Sequence, residues 1–149
     1  MHKLIRLIFF LTALTTLLGA CSAEETPAEP TSAAIANPAS ENCTQQGGTL
    51  ILQSREALGE YGVCVFEDNR QCEEWALLNG DCPETGVDVS GYTTRAATYC
   101  AITGGDYAVT ENAGAADEQG TCTFKTGQTC DVWAYFDGEC DLQEEDETK

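Results

Sequence analysis

The order of apolar and polar positions predicts a helix and then two strands near the start of the folded region. Asn37 and Pro38 supply an N-cap and a proline at the first helical position, and the glycine pair at 47–48 accepts the left-handed angles that end a helix. The segments TLILQ at 49–53 and GVCVF at 62–66 then predict two strands.

A second helix follows the strands after a turn through residues 67–69. Glu73 and Glu74 suit its first turn, because acidic side chains interact favourably with the amino end of a helix. Its apolar body begins at Trp75, and Gly80 ends it. The pattern therefore predicts the element order α-β-β-α.

This order occurs twice. CEEWALLNGDC at 72–82 returns as CDVWAYFDGEC at 130–140, and the cysteines are separated by 21, 8 and 10 residues and then by 22, 8 and 10. Thr94 and the glycines at 104–105 repeat the helix start and stop. We call residues 37–82 module 1 and residues 94–140 module 2. Residues 83–93 contain the Pro, Gly and Ser of an exposed linker.

The second strand differs between the two copies on one face. Val63 and Val65 become Thr121 and Thr123, whereas the cysteine and phenylalanine between and after them are kept. Since side chains alternate across a strand, one face is predicted to be core and the other to lie near solvent. The tryptophans, Trp75 and Trp133, are predicted to be the main core residue of each module.

Each module is too small to fold on apolar burial alone, so covalent staples are expected. Residues 1–20 resemble a signal peptide, and export into an oxidising compartment favours disulfides. The intervals between the cysteines also lack the close CxxC pairs of zinc sites or thiol redox catalysts. The sequence thus predicts a small disulfide-rich α+β fold: two tandem α-β-β-α modules with two disulfides each, no metal and no cofactor. The eight cysteines are Cys43, Cys64, Cys72, Cys82, Cys100, Cys122, Cys130 and Cys140.

Geometry orders the three possible pairings in module 1. A helix between Cys72 and Cys82 would separate them by up to ~15 Å, which disfavours that bond. A three-residue turn would place Cys64 opposite Cys72, and we predict that bond together with Cys43 to Cys82. Pairing Cys43 with Cys72 and Cys64 with Cys82 remains open.

Residues 1–20 have the layout of a signal peptide, with Lys3 and Arg6 before an apolar stretch that ends in small residues. The stretch is shorter than the ~20 residues that cross a bilayer, so a transmembrane anchor is not expected. LGAC at 18–21 resembles the lipobox of bacterial lipoproteins, which implies lipidation of Cys21 and a membrane anchor through that lipid. Ser22, rather than aspartate, implies an outer-membrane lipoprotein facing the periplasm. Ordinary secretion with a spare cysteine is the alternative.

Two segments flank the modules. Residues 21–36 carry the lipidated cysteine and an Ala-, Glu-, Thr- and Pro-rich tether that reaches at most roughly 50 Å. Residues 141–149 form an acidic tail that is expected to be disordered.

The charge limits the partners. Without the signal peptide, five cations face 25 acids, a formal charge of −20, which repels nucleic acid and anionic membranes and favours basic partners or divalent cations. No DxDxDG loop is present, and five residues are the conceivable calcium ligands: Asp106, Glu111, Asn112, Asp117 and Glu118.

The mature chain lacks the side chains of most hydrolytic mechanisms. Its one histidine, His2, leaves with the signal peptide, and paired cysteines supply no thiolate. A carboxylate-only mechanism would need two acids in a cleft, and modules of this size rarely form one. We therefore predict a protein that is not an enzyme.

Several motifs together resemble one known family. NPAS before Cys43, the glycine pair, YGVCVF and CEEWALLNGDC are similar to domain of unknown function 333, a bacterial envelope family whose members are often labelled hemolysins and carry lipoprotein signals. The resemblance covers both modules, although TRAAT replaces NPASE in the second. It implies the module and the compartment, and no catalytic residue or cofactor.

The leading hypothesis is a non-enzymatic envelope lipoprotein whose modules form a binding or structural surface for an envelope protein or peptidoglycan. An extracytoplasmic protease inhibitor and a hemolysin-like membrane-active protein are the alternatives. The loops at residues 55–60 and 112–119 are further candidates for contact, and duplication serves either two-site binding or mutual burial of one face. The main candidate binding residues are Glu67, Asp68, Asn69, Arg70, Lys125, Thr126 and Gly127.

Overall fold

The computed structural model describes residues 37–140 and residue 142, and the described modules belong to one compact unit. The predicted signal peptide, Cys21 and the tether lie outside the described residues, as does the acidic tail apart from residue 142. The described part contains four helices, none long and apolar enough to cross a membrane: α1 Pro38–Gln45, α2 Glu74–Asn79, α3 Arg95–Ile102 and α4 Val132–Phe136. It also contains seven strands: β1 Thr49–Ser54, β2 Glu60–Val65, β3 Arg70–Glu73, β4 Val87–Asp88, β5 Asp106–Glu111, β6 Gln119–Thr123 and β7 Thr129–Asp131.

The strands form two antiparallel sheets, ordered β1-β2-β3-β4 and β5-β6-β7. Each module is a helix, three strands and a helix, which confirms the α+β fold with two tandem modules and adds one short strand to each. Strand β4 comes from the linker and pairs with β3, and Val89 next to it is buried. The linker is therefore also part of the fold, because its valines supply apolar surface, while most of its residues are exposed.

The predicted helix ends are confirmed. The side chain of Asn37 accepts a hydrogen bond from the amide of Ala39 at 3.0 Å, and Thr94 caps α3 in the same way. The glycine pair after α1 has two separate roles: Gly47 adopts a φ of 83°, and a Cβ on Gly48 would collide with the sulfur of Cys64. The second glycine thus makes room for a disulfide.

The four disulfides follow one pattern in both modules. Each module has one bond from its first helix to its second strand and one that closes the ten-residue interval around its last helix. The pairs are Cys43–Cys64, Cys72–Cys82, Cys100–Cys122 and Cys130–Cys140. Both the preferred pairing and the pairing left open were wrong.

The disfavoured bond forms because the chain reverses after α2. Gly80 adopts a left-handed conformation, and the amides of Asp81 and Cys82 both donate to the carbonyl of Ala76, at 2.8 and 3.0 Å. Cys82 is thereby brought back to within 5.9 Å of Cys72, Cα to Cα, instead of lying at the far end of the helix. The predicted register was correct, since Cys64 is opposite Cys72, but each bonds to another cysteine.

The two modules share a hydrophobic core. Val63 of β2 is fully buried and belongs to the same cluster as Ile102, Val132 and Phe136 of module 2. The corresponding Thr121 is half-buried, as are Val65 and Thr123, so the face predicted to lie near solvent is fully covered only at Val63. Of the two roles considered for duplication, the structure shows mutual burial.

The loop between β1 and β2 completes this contact. The guanidinium of Arg55 lies 4.4 Å from the ring centroid of Tyr99 and donates to the carbonyl of Phe136 at 3.4 Å. Tyr61 packs edge-on against Tyr99 at 5.1 Å between centroids. Burial raises the pKa of Tyr99 well above the usual value for a phenol. The loop of module 1 is therefore used as an internal contact.

The two tryptophans have different environments. Trp133 is half-buried and donates to the carbonyl of Glu118 at 3.0 Å, whereas Trp75 is 45% exposed. The longer loop of module 2, at residues 112–118, folds back over its own tryptophan, but the loop of module 1 contacts module 2 instead. The prediction that Trp75 is a core residue was wrong for this reason.

A buried carboxylate ties α1 to α2 in module 1. Glu74 is 6% exposed and accepts hydrogen bonds from Asn37 at 3.0 Å and from Ser40 at 2.5 Å. Module 2 has Thr94, Ala97 and the fully buried Val132 at these three positions. The difference between NPAS and TRAA is thus matched by a change from a polar to an apolar contact with the last helix.

Candidate functional site

An open groove of about 340 Å³ lies on module 1, and we call it the module-1 groove. One wall is the end of α1, with Gln46 and Gly47. The turn between β2 and β3 supplies the second wall, and half-buried Phe66 at the end of β2 contributes an apolar ring. The linker completes the groove with Glu84 and Thr85. Three of the four predicted candidate residues of module 1 line it: Glu67, Asp68 and Arg70.

The turn that forms the second wall is tight. Asp68 and Asn69 have φ values of 56° and 58°, a region that aspartate and asparagine tolerate better than most residues. The amide of Phe66 donates to the carbonyl of Arg70 at 2.8 Å and closes the turn. Asn69 also accepts from the amide of Val89 through its carbonyl at 3.3 Å, which joins the turn to the linker.

The linker wall is held by contacts with the same turn. Arg70 donates to the carbonyl of Gly86 at 2.7 Å, and the amide of Gly86 donates to the carbonyl of Pro83 at 2.8 Å. A Cβ on Gly86 would lie 2.9 Å from both the ring of Phe66 and the backbone nitrogen of Gln71. The linker therefore approaches the groove closely through a glycine, and the walls are set before any ligand binds.

In module 2 the corresponding position is occupied by module 1. Gly104, which corresponds to Gly47, has the backbone carbonyl oxygen of Asp81 2.7 Å from its would-be Cβ. Lys125, which corresponds to Glu67, donates to the carbonyls of Gly80 and Asp81 at 3.1 Å each. The turn that ends α2 thus fills in module 2 the place that is open in module 1.

The two predicted loops therefore serve different purposes. Lys125 contacts module 1 and lies 3.8 Å from the carboxylate of Asp81. Thr126 accepts a hydrogen bond from the amide of Gln128 at 3.3 Å, and Gly127 takes the left-handed position with a φ of 86°. In the turn of module 2, Lys125 makes the contact with module 1 while Thr126 and Gly127 are exposed, and the turn of module 1 is exposed throughout.

The five conceivable calcium ligands do not form a site. Glu118 is 3% exposed and accepts hydrogen bonds from the amide of Gly114 at 2.7 Å and the hydroxyl of Tyr107 at 2.9 Å, which lower its pKa. Asn112 bonds to the carboxylate of Asp117 at 3.1 Å. In the described part of the chain, no three His, Cys, Asp or Glu side chains are grouped as metal ligands. This loop is a structural element held by Glu118.

The groove has the chemistry of a recognition surface. Three exposed carboxylates, Glu67, Asp68 and Glu84, and one guanidinium, Arg70, surround the ring of Phe66. Such a surface can bind a cationic side chain electrostatically, and apolar atoms of the same ligand can cover the ring. Sequence reasoning identified the turn but missed the linker wall. The replacement of Glu67 by Lys125 was the sign in the sequence that the turns of the two copies have different surroundings.

Two segments of the chain, residues 34–81 and 91–139, match the family model described as "Domain of unknown function (DUF333)". The chain is 35% identical to "Uncharacterized protein YoaF" of Escherichia coli strain K12 over 80 residues, which are 52% of this chain and 94% of that relative. Proteins of the same name from Escherichia coli O6:H1 strain CFT073 and from Shigella flexneri match to the same extent. No solved structure matches. Because the family model covers both modules, the chain belongs to the DUF333 family and carries the domain in two tandem copies.

Proposed function

We propose that this protein is a non-enzymatic lipoprotein of the bacterial envelope that uses the module-1 groove to bind another envelope protein. Module 2 serves as the support that holds module 1 in shape. The observation that carries the proposal is the difference between the two copies: the same position is filled from within in module 2 and is open in module 1.

The stiffness of the groove supports a binding role. Cys72–Cys82 fixes the start of the linker wall, and Cys43–Cys64 joins α1 to the strand that leads into the turn. Loops held in place before binding lose less conformational entropy on association than flexible loops. A small disulfide scaffold therefore suits recognition, and the groove offers exposed charge and an apolar ring to a partner.

The proposed location rests on the chain's own leader. The resemblance of residues 18–21 to a lipobox supports lipidation of Cys21, and the tether at residues 21–36 would hold the modules away from the lipid headgroups. We propose the periplasmic face of the outer membrane. Mass spectrometry of the amino-terminal peptide should show a lipid-modified Cys21, and Cys21→Ala should release the protein from the membrane fraction.

The binding role is tested by affinity capture from native envelope extract. The bait is the oxidised mature chain with Cys21→Ala, and two variants are compared: Thr85→Trp, which fills the groove, and Thr126→Trp, which places the same bulk on the exposed turn of module 2. Saturable retention of one protein that Thr85→Trp abolishes and Thr126→Trp preserves is the expected result. Retention that is equal in both variants, or equal after reduction and alkylation, would contradict a groove-based binding role.

Inhibition of an extracytoplasmic protease would use the same surface. Its distinguishing result is loss of the captured protein's proteolytic activity on binding of the oxidised protein alone.

A further inference from the structure

We infer that the module-1 groove accepts a turn from a basic partner protein and places a lysine or arginine of that turn beside Glu67. This inference rests on the proposed function and names the chemistry of the partner. A turn at the end of a helix is the shape that the same position already holds in module 2.

The template is the contact between the two modules. The turn at Gly80 and Asp81 lies against Gly104, and its carbonyl oxygens accept hydrogen bonds from Lys125 at 3.1 Å. A charged donor and a carbonyl form a stronger bond than two neutral groups. Module 2 thus recognises a turn by offering a cation to acceptor atoms.

Module 1 presents the opposite charge at that position. Glu67 replaces Lys125, and the groove as a whole carries three carboxylates and one guanidinium. Arg70 is already bound to the carbonyl of Gly86 at 2.7 Å, so the acidic side chains dominate the charge offered to a ligand. A turn that carries a cation in place of the acceptors complements this surface.

A second copy of this chain does not fit the groove. The turn of module 2 that corresponds to Gly80 and Asp81 consists of Gly138 and Glu139, and its acid would face Glu67. Leu58 also lies against Gly138 within the same molecule, 2.7 Å from its would-be Cβ. Like charges and an existing contact both oppose self-association here, so the occupant is a different protein.

Two residues of the module-1 groove are more exposed than the corresponding residues of module 2, which indicates a ligand that covers the ring of Phe66. Phe124 of module 2 is 9% exposed, whereas the corresponding Phe66 is half-buried and Gly47 is exposed where Gly104 is half-buried. A turn with a short apolar segment beside its cation would bring both residues of module 1 toward the burial seen in module 2.

The first test is a titration with two peptides followed by the amide NMR signals of the oxidised mature chain carrying Cys21→Ala. Both peptides are disulfide-closed copies of residues 72–82 with the two glutamates replaced by glutamine, and they differ only in having Asp or Lys at position 81. We expect the lysine peptide to shift the amides of Gly47 and residues 67–70 and to bind about threefold to tenfold more tightly, because one attraction replaces one repulsion at the surface.

Charge reversal supplies the control. Glu67→Lys should reverse the preference between the peptides, and Glu60→Lys, which makes the same charge change at an exposed position outside the groove, should preserve it. Shifts outside the groove, equal affinity of the peptides, or an unchanged preference in Glu67→Lys would overturn the inference.

The captured partner gives a second, independent readout. Its retention should fall at least threefold with Glu67→Lys and stay unchanged with Glu60→Lys, and the segment it loses on limited proteolysis should contain the basic turn. Retention of a partner that Thr85→Trp abolishes but Glu67→Lys leaves intact would overturn this inference while preserving the proposed function. Retention of peptidoglycan strands instead of a protein would overturn both.

Discussion

Replacing Val63 with threonine tests whether the two modules share one core. Val63 is fully buried among side chains of module 2, and the flanking strands β1 and β3 already occupy the backbone groups of β2. The threonine hydroxyl would therefore be buried without a partner, at a cost of about 1–3 kcal/mol judged from protein substitutions of this kind. The shape of the side chain is almost unchanged, so the hydroxyl accounts for the effect.

The assay is urea or thermal unfolding of oxidised residues 22–149, followed by circular dichroism. For a domain of about 100 residues, each kcal/mol lowers the Tm by about 4–8 °C. Thr121→Val makes the reverse change at the corresponding half-buried position and should alter stability by no more than about 0.5 kcal/mol. If Val63→Thr were as mild as Thr121→Val, Val63 would be in contact with solvent and the shared core would be wrong.

Three further results are expected. Proteolysis without reduction should yield a peptide in which Cys72 is bonded to Cys82 by a disulfide. A bond from Cys72 to any other cysteine would refute the observed pairing. Hydrogen bonds lower the pKa of Glu118, so the stability that Glu118 contributes is present above the ordinary carboxyl pKa and is lost as pH falls through the lowered value. When the free energy of unfolding is measured against pH, Glu118→Gln should decrease this loss of stability at acid pH. Burial raises the pKa of all five tyrosines, that of Tyr107 to about 12. Absorbance at 295 nm near pH 10 should therefore show less phenolate in the native than in the unfolded protein, and the free energy of unfolding should fall as pH rises further. Equal absorbance of the two states would contradict the burial of these tyrosines.

Local chemistry made much of each module predictable. The caps at Asn37 and Thr94, the left-handed Gly80 and the register that places Cys64 opposite Cys72 all depend on residues close in sequence or on a short turn. These features were predicted correctly because strand alternation and helix capping act within a few residues.

The features that were missed depend on longer-range packing. The bond from Cys72 to Cys82 requires the chain to fold back after α2. The length of the helix between the two cysteines does not predict that reversal. The exposure of Trp75 and the burial of Val63 both follow from how module 1 contacts module 2. The valine-to-threonine differences between the copies were the available sign of this contact.

The candidate site was predicted in part for the same reason. Turn chemistry drew attention to Glu67 and its neighbours, but the linker wall and the occupied counterpart at Lys125 appear only when both modules are placed together. Two copies of one sequence motif thus present different surfaces, because the turn that ends α2 in module 1 covers the corresponding position of module 2.

The most direct test of the proposed binding role is site-specific photo-crosslinking in intact cells that produce the protein. A photoreactive phenylalanine derivative is placed at Gln45, an exposed residue next to Gln46 of the groove wall that does not line the groove itself, or at Thr126 on the turn of module 2, in the otherwise unaltered protein. We expect one discrete protein adduct from Gln45 that Thr126 does not give and that Glu67→Lys diminishes. No adduct from Gln45, or the same adducts from both positions, would contradict the binding role.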